Sequence, residues 1–501
     1  MASYEFKHAL IQDAAYQSLL KGRRQQYHRR IAQVLEGISS VAVPTRSELL
    51  AHHYSEAGLF EDAISYWQIA GQRDLEQAAN QEAIAHFTRG LELLKKLPES
   101  PERDCKELEM QLGLAPASMA IKGWAASDVE QACIRARDLS EKLGDGQSLL
   151  VALWCLWTNY FLRGQMDKAL ETSAAVFQMS EQANQQMLRV IACHAVGYTH
   201  HFRGEFSQAR TLADRGLALF DLEVERKIVQ SFQFSSTVAI RMFMAGSLWM
   251  LGYPDRAPVQ VDEALSLAEQ LNHTPSKAYA FAAACFYYHY SLDFKWIQTT
   301  SEKLIKISQD ESFLLWFPVA MIYHGWSLAL QDKTEEGIAE IQEGLALFET
   351  TGSAVTFPQS MVMLAEAFSK AGQFENALNA LEEGMQAAVN RNEHHMEPEL
   401  YRLKAEILLQ KMDVAEEEAQ LDMLEQVEAC FLRAIDLAQG QSARMLELLA
   451  TIGLCRFWQR QEKQVEAFRL LSEIYDWFTE GFGTPELQEA KKLLAELQKD
   501  I

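Results

Sequence analysis

Gly164-Gln165-Met166-Asp167-Lys168-Ala169 decides the fold of this chain. A glycine-type turn follows one apolar stretch, and a small residue five positions on sits inside the next. The same pairing recurs at Gly58/Ala63, Gly204/Ala209, Gly252/Ala257, Asp332/Gly337 and Gly372/Ala377, with a degenerate copy at Leu292/Ile297. From Gly164 the steps are 40, 48, 40, 40 and 40 residues. A sustained period of this length marks a repeated supersecondary unit. Each unit reads as two amphipathic helices of about five turns joined by a short turn. The small residue lets the second helix approach the first closely.

Composition agrees. A chain of 501 residues exceeds what one hydrophobic core supports, so several domains or an elongated array is expected. Apolar residues make up 48% and charged residues 23%, ordinary values for a soluble folded chain. Proline is scarce, and Ala, Leu, Glu and Gln are abundant, which favours helix almost throughout. The expected class is all-α, with β-structure nearly absent.

Working outward, the spacing predicts helices at 5–20, 22–37, 46–57, 60–79 and 81–97, then a break at Pro98 and Pro101. Helices at 103–118 and 128–143 follow, with Ser127 as an N-cap. Beyond Ala377, 397–411 pairs with 423–438 and 443–459 with 464–478. Glu416-Glu417-Glu418 falls in the longest connection. Thr484-Pro485 opens a polar final helix to about 498, suited to capping an array.

Three motifs carry a family resemblance. The N-terminal stretch Phe6-Lys7-His8-Ala9-Leu10-Ile11-Gln12-Asp13-Ala14-Ala15-Tyr16 continues through Arg23-Arg24-Gln25-Gln26-Tyr27-His28-Arg29-Arg30. Near the other end stand Leu400-Tyr401-Arg402-Leu403-Lys404-Ala405-Glu406 and Trp477-Phe478-Thr479-Glu480-Gly481-Phe482-Gly483-Thr484-Pro485. Together they resemble bacterial signalling proteins that join a nucleotide cyclase, or another effector, to a STAND/AAA-type ATPase and a tetratricopeptide (TPR) array. Ala63, Trp67 and Ala70, then Ala83 and Phe87, follow the TPR pattern best. The period is longer than the standard repeat of about 34 residues, so the helices must be longer too.

The resemblance implies a right-handed superhelical TPR-like solenoid of antiparallel helix pairs, carrying the sensor or scaffold half without the motor or the cyclase. It divides the chain into a helical remnant of the ATPase winged-helix segment (1–40), N-terminal repeats (41–100), a long-period array (101–395) and C-terminal repeats with a cap (396–501). In resembling proteins the first segment packs on the ATPase. Phe6, Leu10 and Ile11, with Arg23, Arg24, Arg29 and Arg30, are therefore expected to form a docking surface for an effector chain or for self-association.

The formal charge of −23 opposes phosphate backbones and anionic lipid, so neither nucleic acid nor membrane is an expected partner. Seven scattered cysteines argue for reduced thiols and a cytoplasmic setting. No Gly-x-x-x-x-Gly-Lys-[Ser/Thr] loop, Gly-x-Ser-x-Gly elbow or His-Glu-x-x-His motif is present. His52-His53, His200-His201 and His394-His395 invite a metal reading, but adjacent helical residues point about 100° apart and rarely share an ion. No enzyme activity, cofactor or metal is expected.

The remaining signal is aromatic. Residues 15, 11 and 8 positions before each small residue share one face of each first helix. They are Trp154, Thr158 and Phe161; His194, Tyr198 and His201; Met242, Gly246 and Trp249; Ala282, Phe286 and His289; Ile322, Trp326 and Ala329; and Val362, Glu366 and Ser369. By resemblance to TPR domains this face lines the concave surface. Its aromatic and His-rich character suits a protein or peptide segment, or a stacked small molecule. The competing reading is plain core packing.

Overall fold

The computed structural model describes residues 16–37, 43–183, 185–291, 293–413 and 417–499. All regular structure among them is helical, and the helices cover more than two thirds of the chain. Elements adjacent in sequence pack against each other, the mark of an array of antiparallel helix pairs. The chain divides into two compact units, residues 1–159 and 160–501.

The first unit contains α1 (Lys21–Gly37), α2 (Val43–Ala57), α3 (Phe60–Glu76), α4 (Asn80–Leu94), α5 (Pro101–Lys122), α6 (Ser127–Leu143) and most of α7 (Gly146–Leu162). One core runs from Ala32 through Leu50, Tyr54, Ile64 and Trp67 to Phe87 and Met110. Phe87 fits because Gly71 and Gly113 face it. A Cβ at either would lie 2.7 Å or 2.5 Å from its ring. Ser100, not Ser127, is the capping serine: it accepts from the Arg103 N–H at 3.2 Å and opens α5 with Pro101. Ser127 is already helical, with Ala126 at the cap.

The second unit continues with α8 (Met166–Ala183), α9 (Gln186–Phe202), α10 (Phe206–Leu217), α11 (Leu222–Phe232), α12 (Ser236–Met250) and α13 (Ala257–Leu271). Then come α14 (Thr274–Tyr290), α15 (Phe294–Asp310), α16 (Trp316–Leu330), α17 (Thr334–Thr350), α18 (Phe357–Lys370) and α19 (Phe374–Arg391). The series ends with α20 (Glu397–Met412), α21 (Glu417–Gly440), α22 (Arg444–Gln459), α23 (Gln464–Tyr475) and α24 (Pro485–Lys499). Helix α21 begins at Glu417, earlier than expected, and the segment between α23 and α24 is a longer connection than the one that precedes α21.

The repeated turn has one mechanism. Gly164, Gly204 and Gly372 have φ of 68°, 76° and 71°, and Asp332 has 69°. The next residue then serves both helices. Gln165 N–H returns to Tyr160 O at 2.9 Å, while Gln165 O accepts from Ala169 N–H at 3.0 Å. Glu205 and Gln373 repeat this with His200 and Ala209, and with Phe368 and Ala377. The 48-residue step reflects the additional helix α11. Asp221 caps it, and buried Glu225 accepts from Ser235 Oγ at 2.6 Å, pinning it to the start of α12. At the Asp332 repeat the small residue must be glycine, because a Cβ on Gly337 would lie 2.3 Å from Gly325 O.

Late segments of the second unit return onto its early turns. Ala354 and Val355 N–H both donate to Leu162 O, at 2.7 and 3.0 Å. His395 N–H donates to Phe202 O at 3.2 Å, and Gly481 N–H to Asp255 at 2.8 Å. Arg256 pairs with Glu480 at 2.8 Å. Within the second unit, late segments thus pack back onto its own first helices.

Candidate functional site

The predicted inner row is present, but it is covered. Trp154, Phe161, His194, His201, Met242, Trp249, His289, Ile322 and Trp326 are all buried. Thr158, Tyr198, Phe286 and Glu366 keep partial exposure. The expectation of an open aromatic groove is corrected here: the row forms the interior of the second unit, and its Trp154–Thr158 portion lies in the first.

Neighbouring first helices meet through these side chains. Phe161 packs on Tyr198 and Phe202 with ring centroids 4.8 and 5.1 Å apart. Trp249 stacks on Tyr290 at 5.0 Å. Trp326 donates its indole N–H to Glu366 at 2.7 Å, and the His289 ring lies 4.7 Å from the Trp326 ring. His194 and His201 bond Ser236 and Ser247 across to α12, at 3.3 and 2.9 Å. The element that closes the row is the loop between α19 and α20. Its His395 sits 4.7 Å from Phe202 and 5.7 Å from Phe286, ring to ring.

Electrostatics follow burial. Loss of solvent pushes His194 and His201 down to about 3 and holds His395 well below the usual imidazole value. Burial raises Glu393 to about 8, against the opposing Thr356 N–H bond and the charge of Arg391. Burial also raises the Tyr198 hydroxyl to about 12. All of these groups are neutral at neutral pH. Several polar atoms here find no hydrogen-bond partner among the described residues: both His395 ring nitrogens, Tyr290 Oη, Gln359 Oε1 and Glu393 Oε2. Such a concentration is uncommon in an ordinary core, where buried polar groups are usually satisfied by protein, ordered water or a ligand.

At the N-terminal end, Phe6, Leu10 and Ile11 lie outside the described residues. Arg23, Arg29 and Arg30 are exposed, and Arg24 lies over the Tyr16 ring at 5.2 Å. Tyr27, Ile31 and Val34 are exposed apolar side chains at spacings of four and three, one face of α1, and Leu20 just before the helix is exposed too. The spacing of this stripe is ordinary for any helix, so its exposure has no sequence signature. His28 stands 24 residues from His52 in sequence, and the fold brings it together with His52 and His53. Only tertiary packing of α1 on α2 reveals that grouping. No helix among the described residues is long and apolar enough to cross a membrane.

No protein-family model matches the chain. An uncharacterized protein of Rhizobium meliloti (strain 1021) is 22% identical over 448 residues, covering 89% of this chain and 42% of that protein. The chain thus spans about two fifths of the length of this curated relative. Among solved structures, a Rap protein complexed with competence and sporulation factor aligns at TM-score 0.36 and 12% identity, over 87% of this chain and 99% of that one. A STAND protein with a tetratricopeptide repeat sensor from Pyrococcus horikoshii aligns at 0.36 and 13%, over 91% and 74%. A monomeric IFIT1 mutant aligns at 0.40 and 12%, over 92% and 95%.

Proposed function

We propose that this chain is a non-catalytic scaffold and sensor module. Its helix-pair array recognises a protein or peptide segment and relays that event to a signalling effector of the cyclase or STAND ATPase kind. The supporting observation is the closure of the second unit over its aromatic and His-rich inner row. A segment that engages Trp249, Phe286, His289 and Trp326 must part the contacts of Leu162 with Ala354 and of Phe202 with His395. Binding and opening are then one equilibrium, which is what a sensor requires. The row carries no Lys or Arg, so it suits an apolar segment better than an acidic tail. The exposed face of α1, with Arg23, Arg24, Arg29, Arg30 and the preceding Phe6, Leu10 and Ile11, serves as the docking surface for the effector or a second copy.

One observation favours a second reading, a small-molecule sensor. Unpaired buried polar atoms among aromatic rings suit a compact ligand enclosed by the closed form. Deuterium exchange at the amides of Ala354, Val355, His395 and Gly481 separates the two. A peptide or effector segment that engages the row speeds exchange at all four. A metabolite filling the interior slows it and raises the melting temperature. A bound partner that leaves all four unchanged overturns both readings and places recognition elsewhere.

A further inference from the structure

The geometry points to a divalent transition-metal site in the first unit, held by His28 of α1 and His52 and His53 of α2, with Glu56 beside them. One nitrogen from each imidazole lies within 4.8 Å of the others, the one such grouping of three His, Cys, Asp or Glu residues among the described residues. The ring centroids stand 5.0 Å apart for His28–His53, 5.9 Å for His28–His52 and 5.4 Å for His52–His53. Consecutive histidines on one helix diverge, but the third ring enters from the facing helix and bridges the divergence. Helix α1 puts it there because His28 and Ala32, one turn apart, form its buried side. A tetrahedral ion with bonds of about 2.0–2.1 Å needs donor nitrogens roughly 3.4 Å apart, so modest ring rotations complete the set.

The surrounding bonds fit a ligating histidine. His28 Nδ1 and His53 Nδ1 face each other at 2.8 Å. An ion would take both lone pairs in place of a shared proton. His28 Nε2 lies 2.9 Å from Tyr16 Oη, and Tyr16 donates to Glu56 Oε2 at 3.4 Å. With Nδ1 on the metal, Nε2–H donates to Tyr16, and Tyr16 to the carboxylate. Such outer partners orient metal-bound imidazoles and raise their basicity. His28 is buried and His53 half-buried, an environment that favours the uncharged imidazole a metal ion needs. The Arg24 charge opposes a cation here, and the Glu56 charge offsets it. His52 is exposed and opens the site to solvent.

Three imidazoles select Zn²⁺, Co²⁺, Ni²⁺ or Cu²⁺ over Mg²⁺ and Ca²⁺, which prefer oxygen. The fourth position falls to water or Glu56. An ion here would clamp α1, and the apolar stripe it exposes, onto the first repeat.

The test uses the full chain stripped with a chelator. Calorimetry with Zn²⁺ should show one equivalent bound and a raised melting temperature, and Co²⁺ should develop tetrahedral visible absorption. His52→Gln, at an exposed position, and His53→Gln should each abolish that absorption with unchanged far-ultraviolet circular dichroism. Tyr16→Phe should keep the spectrum and weaken binding roughly 10- to 100-fold. No uptake in excess Zn²⁺, or uptake unaltered in both histidine variants, overturns the site.

Discussion

His395 donates its backbone N–H to Phe202 O at 3.2 Å, and its imidazole lies nearly parallel to the Phe286 ring, 22° between planes. A loop late in the chain thereby plugs the space between two early helices, and it does so with a group that must stay uncharged. His194 and His201 share that constraint. The closed form is therefore sensitive to acid. The folded pKa values of these three histidines are depressed, to about 3 for His194 and His201, so their contribution is full above the ordinary imidazole value of about 6.5 and is lost progressively as pH falls below it. Glu393, raised to about 8, acts in the opposite sense. Between about pH 6.5 and pH 4.5 three groups outweigh one. The melting temperature should drop on acidification through this window, and less steeply in His395→Leu. A melting temperature that is flat or rises toward acid would refute the burial of these histidines in the uncharged form.

Trp326 is fully buried, and its indole N–H holds the Glu366 carboxylate. An open groove would have let Trp249→Ala and Trp326→Ala spare the fold. Burial reverses that expectation. Each substitution removes a large core side chain and should cost about 3–5 kcal/mol by urea unfolding. Trp326→Phe keeps most of the volume but strips Glu366 of its donor, and should cost about 1–3 kcal/mol. Losses below about 1 kcal/mol for both alanine variants would mean that the interior is already open in solution.

The turn glycines offer a matched comparison. Gly252 and Gly372 both have left-handed φ, 87° and 71°. Replacing either by alanine carries the same backbone penalty of about 1–2 kcal/mol. Their surroundings differ. A Cβ on Gly372 meets nothing within 4 Å, whereas one on Gly252 would lie 2.6 Å from the Trp477 ring and 3.1 Å from Phe478. Gly252→Ala should therefore be the more damaging, by a further ~1–3 kcal/mol of overpacking. Equal losses in the two variants would show that the 476–484 segment does not seat on this turn in solution.

Much of this architecture was legible because it is local. The glycine and the small residue five positions on are tied by bonds within one turn, so their spacing reports the helix pair directly. The inner row was legible as a face, since steps of three and four need only helical geometry. What covers that face was not. His395 reaches Phe202, and Trp477 reaches Gly252, through returns of the chain that leave no periodic trace. The same holds for His28, which meets His52-His53 only through packing of α1 on α2. Helix α11 escaped notice because it lengthens one step without altering the turn motif on either side. The N-terminal apolar residues Phe6, Leu10 and Ile11 fall outside the described chain, while the exposed stripe found on α1 uses other positions.

Glu393 supplies the sharpest test of the interior. It is fully buried, accepts the Thr356 N–H at 2.8 Å with one oxygen, and leaves the other unpaired among the described residues. Burial raises its folded pKa to about 8, whereas an unfolded chain ionises it near the ordinary value of about 4.3. A raised folded value means stability that is full below the unfolded pKa and is lost as pH climbs through the folded one. Glutamine copies the shape of the protonated carboxyl, keeps the acceptor for Thr356 and has nothing to titrate. Glu393→Gln should therefore match the parent near pH 4.5 and gain on it steadily up to about pH 8, beyond which the difference levels off. Parallel melting measurements across that range read the effect as a widening gap between two curves. A gap that stays constant would mean Glu393 is ionised in the folded state, and its carboxylate would then have to be reached by solvent through the His395 loop.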